Sequence, residues 1–480
     1  MAFLIGGANS ASGGYEVSNS LRWNNPSDDN LAITFGSAGN RRIFTISAWV
    51  KRGLMNDDHA LIGQGGTASG NPRGLLFFDN SLRFTNNTAG NSTDTDVNTN
   101  AKTRDPAAWY HVVAAVDTTQ STNTNRVKLY INGVHQTSLA TATYPDEDFE
   151  MNWNNAVLHT VGRYPNNDSY HMDGYISEFY FIDGTQYAAS DFGEYDGDSG
   201  IWIPKNAKGA LTFGDNGFYL EFKQTGTDTD ASGMGADTSG EDNHLAVNNL
   251  TAVDVTADTP TNNFATLNPL NKLNGALSEG NTQFVRAASG TANSVSTMCP
   301  SNGKWYMEFQ NSAAQNSAIG VVNVDDHPST TNIYPYTYAA AILLETNLIA
   351  TILYDEVASD GETSRSTASG AGTTKIGMAV DLDNQDIYIS TNGQWWGGSS
   401  FNQGTGPATA LITDLPTTGF AAGFYINGSI ANACYYNFGN PGGADSISSG
   451  NADANGYGNF EYAVPSGYFA LCTKNLAEYG

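Results

Sequence analysis

The stretch Phe44-Thr45-Ile46-Ser47-Ala48-Trp49-Val50-Lys51 decides the fold. Phe44, Ile46, Ala48 and Val50 fall on alternate positions, and successive side chains of an extended backbone point to opposite faces. A sustained period of two marks a β-strand with one face on a core. The same pattern returns at 31–35, and further strands are expected at 75–78, 110–117 and 126–131. The last runs into Asn132-Gly133, a dipeptide suited to the positive φ angles of a type I′ hairpin. Residues 175–182 lie between Asp173-Gly174 and Asp183-Gly184 and read as a strand between tight turns. A helical turn at 188–192, with Ser190 or Asp191 near its cap, and a strand at 218–222 close the region.

Alternation resumes at Trp305-Tyr306-Met307-Glu308-Phe309 and at 319–321. Residues 339–356 suit one helix or two strands turning at Glu345-Thr346-Asn347; β-branched Ile349, Thr351 and Ile352 favour strands. Strands follow at 376–383, at 387–391 before Asn392-Gly393, at 420–424 and at 435–439. Residues 226–298, rich in Asp, Asn, Gly, Ser and Thr, read as a connector, and 1–20 as an arm with Phe3, Leu4 and Ile5 as an anchor or an edge strand. The expected architecture is all-β, with antiparallel sandwiches at 21–225 and 299–480.

Composition agrees. The 480 residues are 40% hydrophobic but only 14% charged, with 52 glycines, so solubility rests on turn-forming polar residues and a disordered chain is excluded. A net charge of −27 with no basic cluster denser than Arg41-Arg42 argues against nucleic-acid binding. Three cysteines, Cys299, Cys434 and Cys472, build no disulfide framework and suit a reduced protein. No apolar run approaches the about 20 residues of a membrane span, and Met1-Ala2-Phe3-Leu4-Ile5-Gly6-Gly7 lacks the charged start of a signal peptide. The chain is expected to enter no classical export route and, if it works outside a cell, to get there by lysis.

Ile46-Ser47-Ala48-Trp49-Val50, Trp109-Tyr110-His111-Val112-Val113, Val127 through Gly133, Val161-Gly162-Arg163 and Met172 through Phe179, in that order, resemble the laminin G-like, concanavalin A-like jelly roll. The resemblance implies a two-sheet sandwich used mainly to bind glycans or proteins and sometimes to cleave glycans. Gly303-Lys304-Trp305-Tyr306, Ile376 through Asp383, Asn392-Gly393 and Asn437-Phe438-Gly439 resemble a SPRY domain, with a departure at 339–356. The pairing of the two, with Asp258 through Phe264 and Leu267-Asn268-Pro269-Leu270 between them and Pro465 through Leu476 at the end, is similar to virion proteins of tailed phages of marine bacteria.

Catalytic signatures are weak. The acidic runs Asp146 through Glu150 and Glu194 through Asp198 read as solvated loops, not as paired carboxylates across a groove. His111, after Trp109-Tyr110 on a strand, reads as a core or edge histidine. No cofactor is required, and calcium is the one candidate. Asp228, Asp230 and Ser232 place oxygen donors at the first, third and fifth positions of an acidic loop with Gly233 sixth, and Glu241 follows two residues later than an EF-hand glutamate. Asp79 and Asp117 are further candidates on the resemblance alone. Trp49, Trp109 and Trp305 read as packing residues. Trp395-Trp396 and Tyr334, Tyr336 and Tyr338 read either as sugar-stacking platforms or as contacts with a neighbouring subunit.

These readings converge on a non-enzymatic virion protein, a fibre, spike or decoration that adheres to host-surface polysaccharide. Other virion proteins and further copies of the chain are its expected partners, without nucleic acid and without membrane insertion. A head-decoration or tail-adaptor role is the alternative, and a glycan depolymerase the third.

Overall fold

The computed structural model describes residues 14–55, 58–65, 73–87, 93–165, 170–286, 290–312, 317–323, 339–345, 348–354, 375–398, 401–404, 406–413, 415, 420–428, 433–443 and 445–480. The chain divides into two compact units, Ala11–Thr261 and Asn262–Gly480. Phe3, Leu4 and Ile5 lie outside the described residues.

In the first unit one sheet runs in the order Val134–His135, Val127–Ile131, Trp109–Asp117, Ile43–Arg52, Gly174–Asp183, Ser20–Trp23, Val255–Thr256, with Phe218–Leu220 also on Gly174–Asp183. The other runs Leu139–Thr143, Thr93–Lys102, Ser81–Asn87, Gly74–Phe78, His59–Gln64, Leu158–Val161, Asn30–Thr34, Ala246–Asn248. All these pairings are antiparallel. Phe44, Ile46, Ala48 and Val50 meet Leu75, Phe77, Phe84 and Val97 in one core, which makes the unit a sandwich. Thr45, Ser47, Trp49 and Lys51, on the opposite face, are also buried. Phe192, Phe213 and Trp202 cover that side, and the helical turn Ala189–Asp191 is held by the Asp191 carboxylate accepting the Ala188 N–H at 2.8 Å.

The second unit pairs Leu267–Leu273, Gly290–Ser296, Phe420–Gly428, Ser317–Asn323, Ala339–Glu345 and Leu348–Tyr354 in one sheet. Its partner sheet runs Gly275–Ser278, Gln283–Arg286, Ala433–Asn437, Lys304–Asn311, Ile376–Asp381, Asp386–Thr391, Gln394–Trp396, Phe401–Gln403. Leu267, Ile319 and Val321 from one sheet pack against Met307, Met378 and Ile389 from the other. The two-strand reading of 339–356 therefore describes the strands seen there. Both Asn-Gly turns have the required geometry, with φ of 46° and 80° at Asn132-Gly133 and 47° and 75° at Asn392-Gly393.

Residues 226–298 are not a tether. Ala246–Asn248 extends one sheet of the first unit and Val255–Thr256 the other, whereas four strands from Leu267 to Ser296 belong to the second. Polar composition misleads here because the polar groups are spent internally: Asp258, wholly buried, accepts the Lys51 Nζ at 2.7 Å and the Trp109 indole N–H at 3.0 Å. The arm likewise packs from Tyr15 onward, with Val17 buried and its N–H donated to Thr261 Oγ1. The helix Thr473–Tyr479, unannounced by any long amphipathic pattern, docks Leu476 and Tyr479 on the second core. Cys299, Cys434 and Cys472 are all buried and unpaired, and burial pushes the Cys472 thiol up to about 12. No helix among the described residues is long and apolar enough to cross a membrane.

Candidate functional site

The second unit carries a cavity of about 420 Å³. It lies where the strand Lys304–Asn311 and its neighbour Ala433–Asn437 meet the Asn392-Gly393 hairpin and the segment around Glu461. Asn311, Lys375, Asn392, Tyr435, Glu461 and Tyr462 are among its lining residues. Tyr435 and Tyr462 are half-buried.

Glu308 builds this wall. In Trp305-Tyr306-Met307-Glu308-Phe309 the odd positions enter the core, and Glu308 points the other way yet is 1% exposed. Its carboxylate accepts the backbone N–H groups of Glu461 and Tyr462, both at 2.9 Å, and the Tyr306 hydroxyl at 3.0 Å. Burial raises its pKa above the ordinary glutamate range, outweighing those hydrogen bonds, which lower it. A raised carboxyl favours the folded state fully below the ordinary glutamate value, and that contribution is lost as pH rises through the folded value. Glu308→Gln should therefore remove part of the fall in stability as pH rises above the ordinary glutamate value, readable by denaturant titration across that range.

The charged groups of the cavity are already hydrogen-bonded within the protein. Lys375 donates to Asp445 at 2.6 Å and to the Ser446 carbonyl at 3.0 Å. Glu461 accepts the Ser448 N–H and hydroxyl at 2.6 and 2.5 Å, which hold its carboxyl below the usual range. Tyr462 donates to Asn392 Oδ1 at 3.4 Å, and the ring lies so close to Gly393 that a Cβ there would fall 2.8 Å from it. What the cavity offers a ligand is amide, hydroxyl and tyrosine ring.

The sequence-expected sites fare differently. Tyr334, Tyr336 and Tyr338 lie outside the described residues. Trp395 and Trp396 are both buried, at 4% and 3% exposure, so neither is a platform. Adjacent strand residues face opposite ways, and each face is covered: Trp395 packs with Tyr306, Phe460 and Tyr468, Trp396 with the main core. Trp395→Ala and Trp396→Ala should each cost about 3–5 kcal/mol in chemical denaturation, as large-to-small core changes do.

The acidic loop closes on itself. Asp228, Asp230, Ser232 and Glu241 are all exposed, and Asp230 Oδ1 accepts the Ser232 N–H and hydroxyl at 2.7 and 2.6 Å. Among the described residues no three of His, Cys, Asp and Glu gather as around a metal ion, so these four do not fit calcium. The carboxylate that organises this region is Asp237, which accepts from Tyr219, Ser239 and Asn243 backbone N–H groups. Asp117 accepts from Thr119 and Gln120, and Asp79 pairs with Lys102.

His111 stands 2.9 Å from Ser47 Oγ, a spacing that would suit a nucleophile and its base. The tautomer is the wrong one. The Trp202 indole, which can only donate, gives its N–H to His111 Nδ1 at 3.1 Å. Nε2 therefore carries the proton and donates it to Ser47, and burial holds the imidazole neutral by lowering its pKa to about 3. Glu178, at φ 50° on a bulge of Gly174–Asp183, is likewise enclosed, accepting the Tyr219 and Tyr180 hydroxyls at 2.7 and 2.8 Å.

Residues 25–189 match the family model described as the concanavalin A-like lectin/glucanases superfamily. The matched segment lies within the Ala11–Thr261 unit. Among solved structures, the SPRY domain of human HERC1 is 11% identical, covering 35% of this chain and 96% of that chain with a TM-score of 0.28. The TRIM65 PSpry domain is 15% identical, covering 36% of this chain and 91% of that chain with a TM-score of 0.27. No match is found among curated proteins.

Proposed function

We propose that the chain is a non-enzymatic glycan-binding protein that takes a neutral oligosaccharide in the cavity of its second unit. The carrying observation is that cavity: two half-buried tyrosines flank amides and hydroxyls, and its lysine and glutamate are satisfied within the protein. Tyrosine faces stack on pyranose C–H groups while amides bond the hydroxyls. The family match in the first unit is compatible with carbohydrate binding. The setting follows the sequence resemblance, a phage virion displaying many copies so that weak sites add to a firm grip on host polysaccharide. The locked tautomer of His111 and the tyrosine-bound Glu178 support binding without bond cleavage.

The test is calorimetric titration of the full chain with neutral manno-, malto- and galacto-oligosaccharides. Tyr435→Ala and Tyr462→Ala should each weaken binding about tenfold, the worth of one ring contact. Binding unaltered in both variants, or release of reducing ends, would overturn the proposal.

A further inference from the structure

A second site, independent of that cavity, is written across the inner face of one sheet of the Ala11–Thr261 unit. Val97, Phe84, Leu75, Ile62 and Val161 stand opposite one another on five adjacent strands and form an apolar rung of the core. Side chains two residues along share that face. The next rung is Thr95, Asn86, Arg73, Gln64 and His159: Thr95 opposes Asn86, Gln64 opposes His159, and the Gln64 N–H donates to the Arg73 carbonyl at 3.1 Å. All five are at most 1% exposed.

This rung is polar and unfulfilled. Arg73 has Nε, Nη1 and Nη2 without a hydrogen-bond partner, Gln64 both Nε2 and Oε1, Asn86 its Nδ2, Thr95 its Oγ1 and His159 its Nε2. A buried guanidinium with no counter-charge costs several kcal/mol, so a fold retains one only where something completes it. Residues 65–72 and 87–93 contain no Asp or Glu, and Asp94, the next acid along the chain, adjoins Thr95 on the opposite face of its strand.

The donor pattern defines what fits. His159 Nδ1 is taken by the Val157 carbonyl at 2.8 Å, so Nε2 is a bare acceptor. Gln64 Oε1 is another acceptor, one strand away. Arg73, Asn86 and Gln64 Nε2 donate. A simple anion would satisfy only the donors, and a neutral sugar would leave the guanidinium uncompensated. Arg73, Gln64 and His159 span roughly 10 Å at the usual strand spacing of about 4.8 Å, the scale of one small ring. We propose that this rung binds a small carboxylate bearing hydroxyl groups, with Arg73 gripping the carboxylate as a fork while Gln64 Oε1 and His159 Nε2 accept from the hydroxyls.

The source is a free hydroxy acid or the terminal uronate of a glycan, which share this chemistry. Because the rung is enclosed, the full chain is refolded in the presence of galacturonate, acetate, galactose or tri-galacturonate at equal ionic strength, and its melting temperature is measured. Galacturonate should raise the melting temperature progressively with concentration, whereas acetate and galactose should do so far less. Stabilisation by tri-galacturonate as well assigns a glycan end, and by galacturonate alone a free acid. Arg73→Met should melt higher than wild type without ligand, because an unmatched buried charge is gone, and should lose the galacturonate response about tenfold or more in concentration. Gln64→Leu should weaken the response in the same direction and serves if Arg73→Met fails to fold. Equal melting temperatures in galacturonate and galactose, or a full response in both variants, would overturn the proposal. An acetate response equal to that of galacturonate would overturn the role of the hydroxyl acceptors.

Discussion

Gly174→Ala should destabilise the Ala11–Thr261 unit by at least ~4 kcal/mol, whereas Gly184→Ala should cost only about 1 kcal/mol. Both glycines have positive φ, 126° and 86°, so both substitutions strain the backbone. They differ in space. A Cβ on Gly174 would fall 2.2 Å from the Lys51 carbonyl oxygen and 2.7 Å from the Gly53 nitrogen, backbone atoms of the neighbouring strand and its exit, which cannot yield without parting the sheet. A Cβ on Gly184 would meet nothing within 4 Å. In thermal melts Gly174→Ala should lower the transition by on the order of 10 °C, with Gly184→Ala as the matched control. Similar losses in the two would show that φ, not the close strand approach, sets the cost.

Asp258→Ala should cost about 3–5 kcal/mol, the effect of stranding one member of a buried ion pair. The variant removes the Asp258 carboxylate from the Lys51 ammonium, 1% exposed, and takes away the acceptor of the Trp109 N–H. Even with Asp258 present, burial holds Lys51 below the ordinary lysine value. Between the lowered folded value and the ordinary one, the unfolded chain binds more protons, so stability rises with pH there. That rise should begin at lower pH in Asp258→Ala, whose deficit shrinks as the medium becomes alkaline. The double variant Lys51→Met/Asp258→Leu should recover most of the loss, because a matched apolar pair needs no counter-charge. Denaturant titration of the three variants against pH measures all of this, and a double variant as weak as the single would contradict it.

The strands and hairpins were legible because their causes are local. Alternation at Phe44–Val50 and the positive-φ preference of Asn132-Gly133 act within a few residues of chain. Gly174 and Gly184 show where this stops: each follows an aspartate at the end of one strand, and only the neighbouring backbone distinguishes them. Trp395 and Trp396 failed as platforms because both faces of their sheet are covered, which the dipeptide does not encode. Asp258 looked like linker polarity and is the counter-charge of a lysine about two hundred residues away. The cavity left one trace, a glutamate inside the apolar strand Trp305–Phe309, and nothing in Glu461-Tyr462 announced its other wall. The rung of Arg73 left none, since Gln64, Arg73, Asn86, Thr95 and His159 become neighbours only through strand register.

A crystal structure of the full chain with a neutral oligosaccharide bound tests the central claim most directly. The account predicts an intact sugar in the second-unit cavity, its ring faces on Tyr435 or Tyr462 and its hydroxyls on Asn392. Sugar bound only on the Ala11–Thr261 unit, or a cleaved product in either unit, would contradict it.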